Sequence, residues 1–143
     1  MTIPYRVLRC SILLAIGMLL IPPAAAASAY RMRPDLVQDK SAAWTVMIYM
    51  AGDNDLEGFA LGDLNEMEFS GSTPQVNLLA EIDRSDLYDS SQGNWTGTRR
   101  YYITPDASTA RLNSTEVGDV GEINSGDPAA LADFAIWGMT TYP

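Results

Sequence analysis

The chain has 143 residues, 18 of them acidic and 9 basic, with no histidine, one cysteine and a net charge of −9. Such acidity argues against a nucleic-acid partner, whose backbone attracts basic patches, and against anionic membrane surfaces. It fits a soluble exported protein, or one that receives cationic substrates.

Residues 1–29 read as a secretory signal peptide. Arg6 and Arg9 form a basic start, 12–21 is almost wholly apolar, and Ala27-Ser28-Ala29 is a small-x-small cleavage site. The apolar run is shorter than the roughly 20 residues of a spanning helix. A retained anchor is the other reading, disfavoured because no stop-transfer pattern follows. Cys10 precedes the apolar run, whereas a lipoprotein cysteine follows it, so it reads as part of the leader. Cleavage leaves 114 residues, enough for one small domain, and the loss of two arginines takes the net charge to −11. Secretion, or release into a periplasm, is the expected location. The remainder has neither thiol nor imidazole, which excludes disulfides, thiol nucleophiles, histidine bases and most zinc sites.

Residues 30–43 mix charges with Pro34 and show no period, as a linker does. Residues 44–51 predict a strand apolar on both faces, with Val46, Ile48 and Met50 alternating with Met47, Tyr49 and Ala51. Such a strand belongs inside a sheet covered on both sides by helices. A helix is expected next, with Asn54 as cap and Glu57 completing a capping box. Its predicted apolar stripe is Leu56, Phe59, Ala60, Leu64 and Met67, with Glu57, Asp63, Glu66 and Glu68 on the surface. Residues 71–74 end it. A second strand over 76–82 completes a strand–helix–strand unit with parallel strands.

Residues 83–97 are polar and read as an exposed loop; 98–104 read as a third strand. Residues 105–126 are rich in Asp, Ser, Gly and Asn and read as turns, with room for a short hairpin. Asp127-Pro128 opens a second helix, with Leu131, Phe134, Ala135 and Met139 as its stripe. The chain stops where another strand is expected, so three strands and two helices would leave a raw edge and an uncovered face. A small complete domain is the alternative.

Chemistry concentrates at the end of the first strand, in Asp53-Asn54-Asp55-Leu56-Glu57-Gly58. In open α/β sheets, ligands bind at the carboxyl ends of the strands. A calcium loop fails, because its twelfth position would be Leu64 where a bidentate glutamate is required. Two readings remain for Asp53, Asn54 and Asp55. They cap the helix and favour its positive end, or they line a substrate pocket for a positively charged group. Asp83-Arg84, Asp86 and Asp89 form a second acidic cluster that reads as a solvated loop. Asn94-Trp95-Thr96 and Asn113-Ser114-Thr115 fit the N-glycosylation sequon but carry little weight alone. No Ser/His/Asp set, phosphate loop, metal site or cofactor site emerges.

Three stretches carry a family likeness. Residues 44–57, WTVMIYMAGDNDLE, resemble the opening strand and helix start of the clostripain-type cysteine peptidases. Residues 76–84, VNLLAEIDR, followed by Trp95 and Thr98-Arg99-Arg100-Tyr101, are similar to their next two strands. Residues 122–134, EINSGDPAALADF, resemble their Asn-x-Gly-Asp-Pro helix start. The resemblance implies a caspase-like three-layer α/β sandwich, represented over 44–143 by its first three strands and two helices. It also implies a parent that cleaves peptides or proteins after basic residues with a Cys/His dyad. Both dyad residues would lie beyond Pro143, so no catalytic residue carries over and this chain alone is expected to be inactive. A C-terminal part of the domain then becomes an expected partner. The rivals are a non-catalytic exported binding or scaffold module and, less favoured, a flavodoxin-like ligand binder.

Overall fold

A computed structural model describes residues 42–143; the signal-peptide and Cys10 readings, and most of the linker, lie outside the described residues. The element order is β1 (Trp44–Gly52), α1 (Glu57–Met67), β2 (Val76–Arg84), β3 (Gly97–Tyr102), β4 (Thr115–Gly121) and α2 (Pro128–Thr141). The four strands form one sheet in the order β1-β2-β3-β4. β1 and β2 are parallel, registered from Trp44 opposite Val76 to Gly52 opposite Arg84. β3 runs antiparallel to both β2 and β4.

Side-chain alternation sorts the core into two faces. Ile48, Met50, Leu78, Ala80 and Ile82 meet Leu61 and Leu64 of α1, with Tyr101 and Ile103. Met47, Tyr49, Leu79 and Tyr102 meet Phe134, Trp137 and Tyr142 in and after α2. Consecutive strand residues point to opposite faces, so one helix covers each side of the sheet. The two-faced apolar pattern of β1 is used as expected. Its place differs from the expected interior one, because among the described residues β1 is an edge strand, with Trp44 and Val46 exposed.

Three further expectations are corrected. β4 arises within a stretch read as turns. Its sequence TEVGDVG carries two glycines and an aspartate, yet Val117 is buried against Leu79 and Phe134. β2 continues through Asp83 and Arg84, both buried rather than in an exposed loop. Finally, each helix turns only part of its expected stripe inward: Ala60, Leu64 and Met67 of α1 and Phe134 of α2 do pack on the core. In α1, Leu61 and Leu64 are buried with Glu57, while Leu56 and Phe59 are exposed; Glu68, just past its end, is also fully buried. In α2, Phe134 and Trp137 are buried, while Leu131 and Met139 are exposed. Gly138 lets α2 close on β1, since a side chain there would run into Met47.

Burying Glu57 and Glu68 requires partners, because an unpaired buried carboxylate is costly. Glu57 meets Arg84 Nε at 2.5 Å, with both side chains fully buried. Glu68 accepts from the backbone N–H of Asn113 at 2.9 Å and of Ser114 at 2.5 Å. On the α2 face, buried Arg100 pairs with Glu81 and reaches Asp133 Oδ2 of α2 at 2.7 Å.

Glu57→Ala leaves the Arg84 guanidinium buried opposite a gap. Chemical denaturation of the chain should show a loss of about 3–5 kcal/mol, whereas Glu57→Leu with Arg84→Met should recover most of it. A loss under about 1 kcal/mol in the single variant would mean that the pair is dispensable.

Candidate functional site

The parallel strands β1 and β2 end side by side, and Gly52 is required there. A Cβ on Gly52 would sit 2.7 Å from the Asp83 carbonyl oxygen. The chain then turns on Asn54, whose Nδ2 donates to the Ala51 carbonyl at 2.7 Å and whose Oδ1 accepts from Leu56 N–H at 2.9 Å. Glu57 N–H closes the turn on the Asn54 carbonyl at 3.0 Å. Asn54 therefore builds the turn before α1 and does not cap it. The cap position is Leu56, which offers no side-chain acceptor, and the expected capping box is absent because Glu57 is held by Arg84.

The turn delivers Asp53 to a cavity of about 280 Å³, lined also by Arg84, Ser85, Asp86, Thr96 and Glu122. Asp55 is exposed, and neither it nor Asn54 is part of that lining. Of the three substrate-site candidates from sequence, Asp53 alone lines the cavity. Asp86 joins it from the second acidic cluster. Glu122 and Thr96 were not read as site residues; Thr96 is brought in by the pairing of Gly97 with Arg84, and Glu122 only by the β3–β4 pairing.

Arg84 organises one wall. Besides Glu57, it donates from Nη2 to the Asp89 carbonyl at 2.7 Å and from Nη1 to that of Ser91 at 3.4 Å. Its guanidinium also lies 4.6 Å from the Trp95 ring centroid. These contacts fold the 85–96 loop back on the strand end. Behind the wall, Thr98 Oγ1 donates to buried Asp83 Oδ1 at 2.7 Å.

The cavity is electrostatically negative. Loss of surrounding water, then the carboxylates of Asp83, Asp53 and Asp86, push the Glu122 carboxyl above its ordinary value of 4.5. A carboxyl that shares a site with like charges, as Glu122 does, binds its proton more tightly. Asp89 shows the opposite behaviour, held low by hydrogen bonds from Ser91 and then by Arg84. Across the sheet, burial first and then Glu81, Asp83 and Asp127 raise the Tyr49 phenol, whose hydroxyl donates to the Ser125 carbonyl at 3.0 Å.

The arrangement can hold a cation, and residues 42–143 contain neither a thiol nor an imidazole for a Cys/His dyad. No group of three or more His, Cys, Asp or Glu side chains among the described residues assembles as a metal site. Nor is any described helix long and apolar enough to cross a membrane.

No family model matches the chain. It is similar to clostripain of Hathewaya histolytica, 30% identical over 115 residues that make up 73% of this chain and 22% of that protein. The chain thus spans about a fifth of the length of the curated relative it matches. The match supports a clostripain-type, cysteine-peptidase-like relationship for this chain.

Proposed function

We propose that these residues are the exported, non-catalytic N-terminal part of a clostripain-like cysteine endopeptidase that cleaves after basic residues. The observation that carries this reading is the negative cavity of Asp53, Asp86 and Glu122 at the carboxyl ends of the strands, in a chain similar to clostripain. A guanidinium or ammonium side chain is the ligand that such a field selects. The fold proposed for the parent is the caspase-like sandwich. The free edge of β1 fits it, because the Tyr142 carbonyl accepts from Thr45 Oγ1 at 2.6 Å and brings the chain back to the start of β1. A further strand laid along β1 from there would cover Val46 and extend the sheet.

The chemistry would be thiolate attack on the scissile carbonyl, an acyl-enzyme, and its hydrolysis, with imidazole moving the proton. These 143 residues contain no histidine, and their single cysteine is Cys10 of the leader. Their share of the work is therefore to receive and orient the basic side chain. The second reading, an exported binding module that never had a dyad, rests on the same missing imidazole. A His-Gly turn and a strand-end cysteine within roughly 100 residues downstream would separate the two.

Purified 30–143 should not hydrolyse Arg- or Lys-containing peptide reporters, and thiol-reagent-sensitive turnover by it would overturn this account. On the export side, N-terminal sequencing of the secreted product should start at or near Tyr30; an intact Met1 on extracellular protein would refute the leader.

Cation binding has a defined pH dependence. The fold raises the Glu122 pKa, so the folded chain holds that proton more tightly than the unfolded one, and ionised Glu122 costs stability above its folded pKa. A bound cation acts oppositely and lowers the pKa. Agmatine affinity, followed by calorimetry, should therefore fall with acid through a midpoint above 4.5. Asp53→Asn should weaken binding several-fold and move that midpoint down, whereas pH-independent binding unaffected by Asp53→Asn would reject the pocket.

A further inference from the structure

We propose that the cavity where the 85–96 loop meets the 105–114 segment beside α1 is a carboxylate-binding site centred on Arg111. It has a volume of about 530 Å³ and is lined by Ser91, Gln92, Gly93, Ala110, Arg111, Leu112 and Asn113. Nothing in the peptidase reading uses it, and its lining shares no residue with the acidic cavity.

The first observation is the state of Arg111. The described residues contain four arginines and no lysine. Arg84, Arg99 and Arg100 are all committed to carboxylates: to Glu57, to Glu116 at 2.9 Å, and to Glu81 with Asp133. Arg111 forms no ion pair among the described residues and is exposed on the wall of the larger cavity. In a chain this acidic, an arginine left unpaired beside a cavity is a charge with its partner still to come.

The second observation is how firmly the segment is held. Gln92 sits at a φ of 54°, a left-handed conformation that costs a non-glycine residue about 1–3 kcal/mol. From there its side chain brackets Arg111. Oε1 accepts from Leu112 N–H at 3.0 Å and Nε2 donates to the Ala110 carbonyl at 3.4 Å. From the other side, Asn65 Nδ2 donates to the Arg111 carbonyl at 2.7 Å. Fully buried Glu68 spends its carboxylate on the next two backbone N–H groups, of Asn113 and Ser114. Three side chains, one a buried charge, thus fix the five-residue segment 110–114 from both flanks, with Leu112 packed on the core and Arg111 exposed. Such preorganisation favours a binding site, since the backbone that carries the Arg111 guanidinium loses little freedom on meeting a ligand.

The ligand class follows from the donors. A guanidinium fork matches the two oxygens of a carboxylate, and Ser91 and Asn113 add neutral polar groups to the lining. The Asp106 carboxylate is outside the lining and already accepts from Ser108 N–H at 2.6 Å and from Asn113 Nδ2. The carboxylate could be an acidic side chain or the terminus of a peptide, and the test separates these sources.

Amide spectra of the full chain, titrated with N-acetylglutamate amide and with N-acetylalanine, should show saturable shifts at Gln92, Gly93, Arg111 and Leu112 for at least one acid. Binding by the first alone assigns a side-chain carboxylate, and by the second alone a terminal one. Neutral N-acetylglutamine amide should give none. Arg111→Gln removes an exposed side chain with no packing role, and should weaken binding at least about tenfold. In the wild-type chain, affinity should fall as salt rises, as for any exposed charge pair. The proposal is overturned if neither acid shifts these amides, if Arg111→Gln binds as well as wild type, or if binding is indifferent to salt.

Discussion

The carboxyl end of the sheet depends on one buried guanidinium, that of Arg84. It terminates β2, holds the first residue of α1 through Glu57, and folds the following loop back through the Asp89 and Ser91 carbonyls. Stripping water from two charges costs several kcal/mol per ion, so such a pair persists only where geometry and extra hydrogen bonds offset the loss. Here the guanidinium is bonded to a carboxylate and two carbonyls and lies against Trp95. Glu57 gains twice, because a carboxylate in the first helical turn also meets the positive end of the helix dipole. That second gain matters in a helix whose cap position, Leu56, supplies no side-chain bond.

The other face repeats the device with different parts. Arg100 of β3 joins Glu81 of β2 to Asp133 of α2, under Trp137 with its ring centroid at 4.8 Å. Burial is the largest influence on Glu81 and raises its carboxyl, while Arg100 works to lower it. Each helix is therefore joined to the sheet by an arginine as well as by apolar contact. A hydrophobic stripe alone would let a helix rotate by a fraction of a turn, whereas an ion pair selects one rotation. This accounts for Leu131 and Met139 remaining exposed while Phe134 and Trp137 are buried. Asp133 fixes which side of α2 faces Arg100.

What was legible in the sequence divides along the same line. β1, the parallel β1–β2 unit and the Asp127-Pro128 start of α2 follow from local chemistry, and Asp127 Oδ1 does accept from Ala129 N–H at 2.8 Å. Glu57, Glu68, Asp83 and Arg84 were misread as surface residues because their burial is decided by partners 15 to 46 residues away. Hydrophobic periodicity counts a buried glutamate as solvent-facing, so Glu57 was assigned to the outer face of α1 although Ala60, Leu64 and Met67 were placed on the inner face correctly. β4 was hidden by its glycines and aspartate, residues that disfavour strands in isolation but are accepted beside an established β3. In the candidate site, Asp53 was readable as a strand-end residue. Glu122 was not, because only the antiparallel return of β4 carries it there.

This division explains why the cavity stays negative although an arginine lines it. The Arg84 charge is already balanced by Glu57 and lies near Asp89, so little of it reaches the opening. Asp83, just behind, is ionisable and buried, and its bond from Thr98 is neutral and supplies no countercharge. Asp53, Asp86 and Glu122 therefore line the opening without an opposing ion, and the Glu122 carboxyl is raised by loss of water first and then by repulsion from Asp83, Asp53 and Asp86. Repulsion of this kind is a cost carried by the folded chain, relieved by a proton or by a cation. Because the wall is fixed by a neutralised pair rather than by a free arginine, the fold can be rigid at this point and still leave the field unquenched for a basic group.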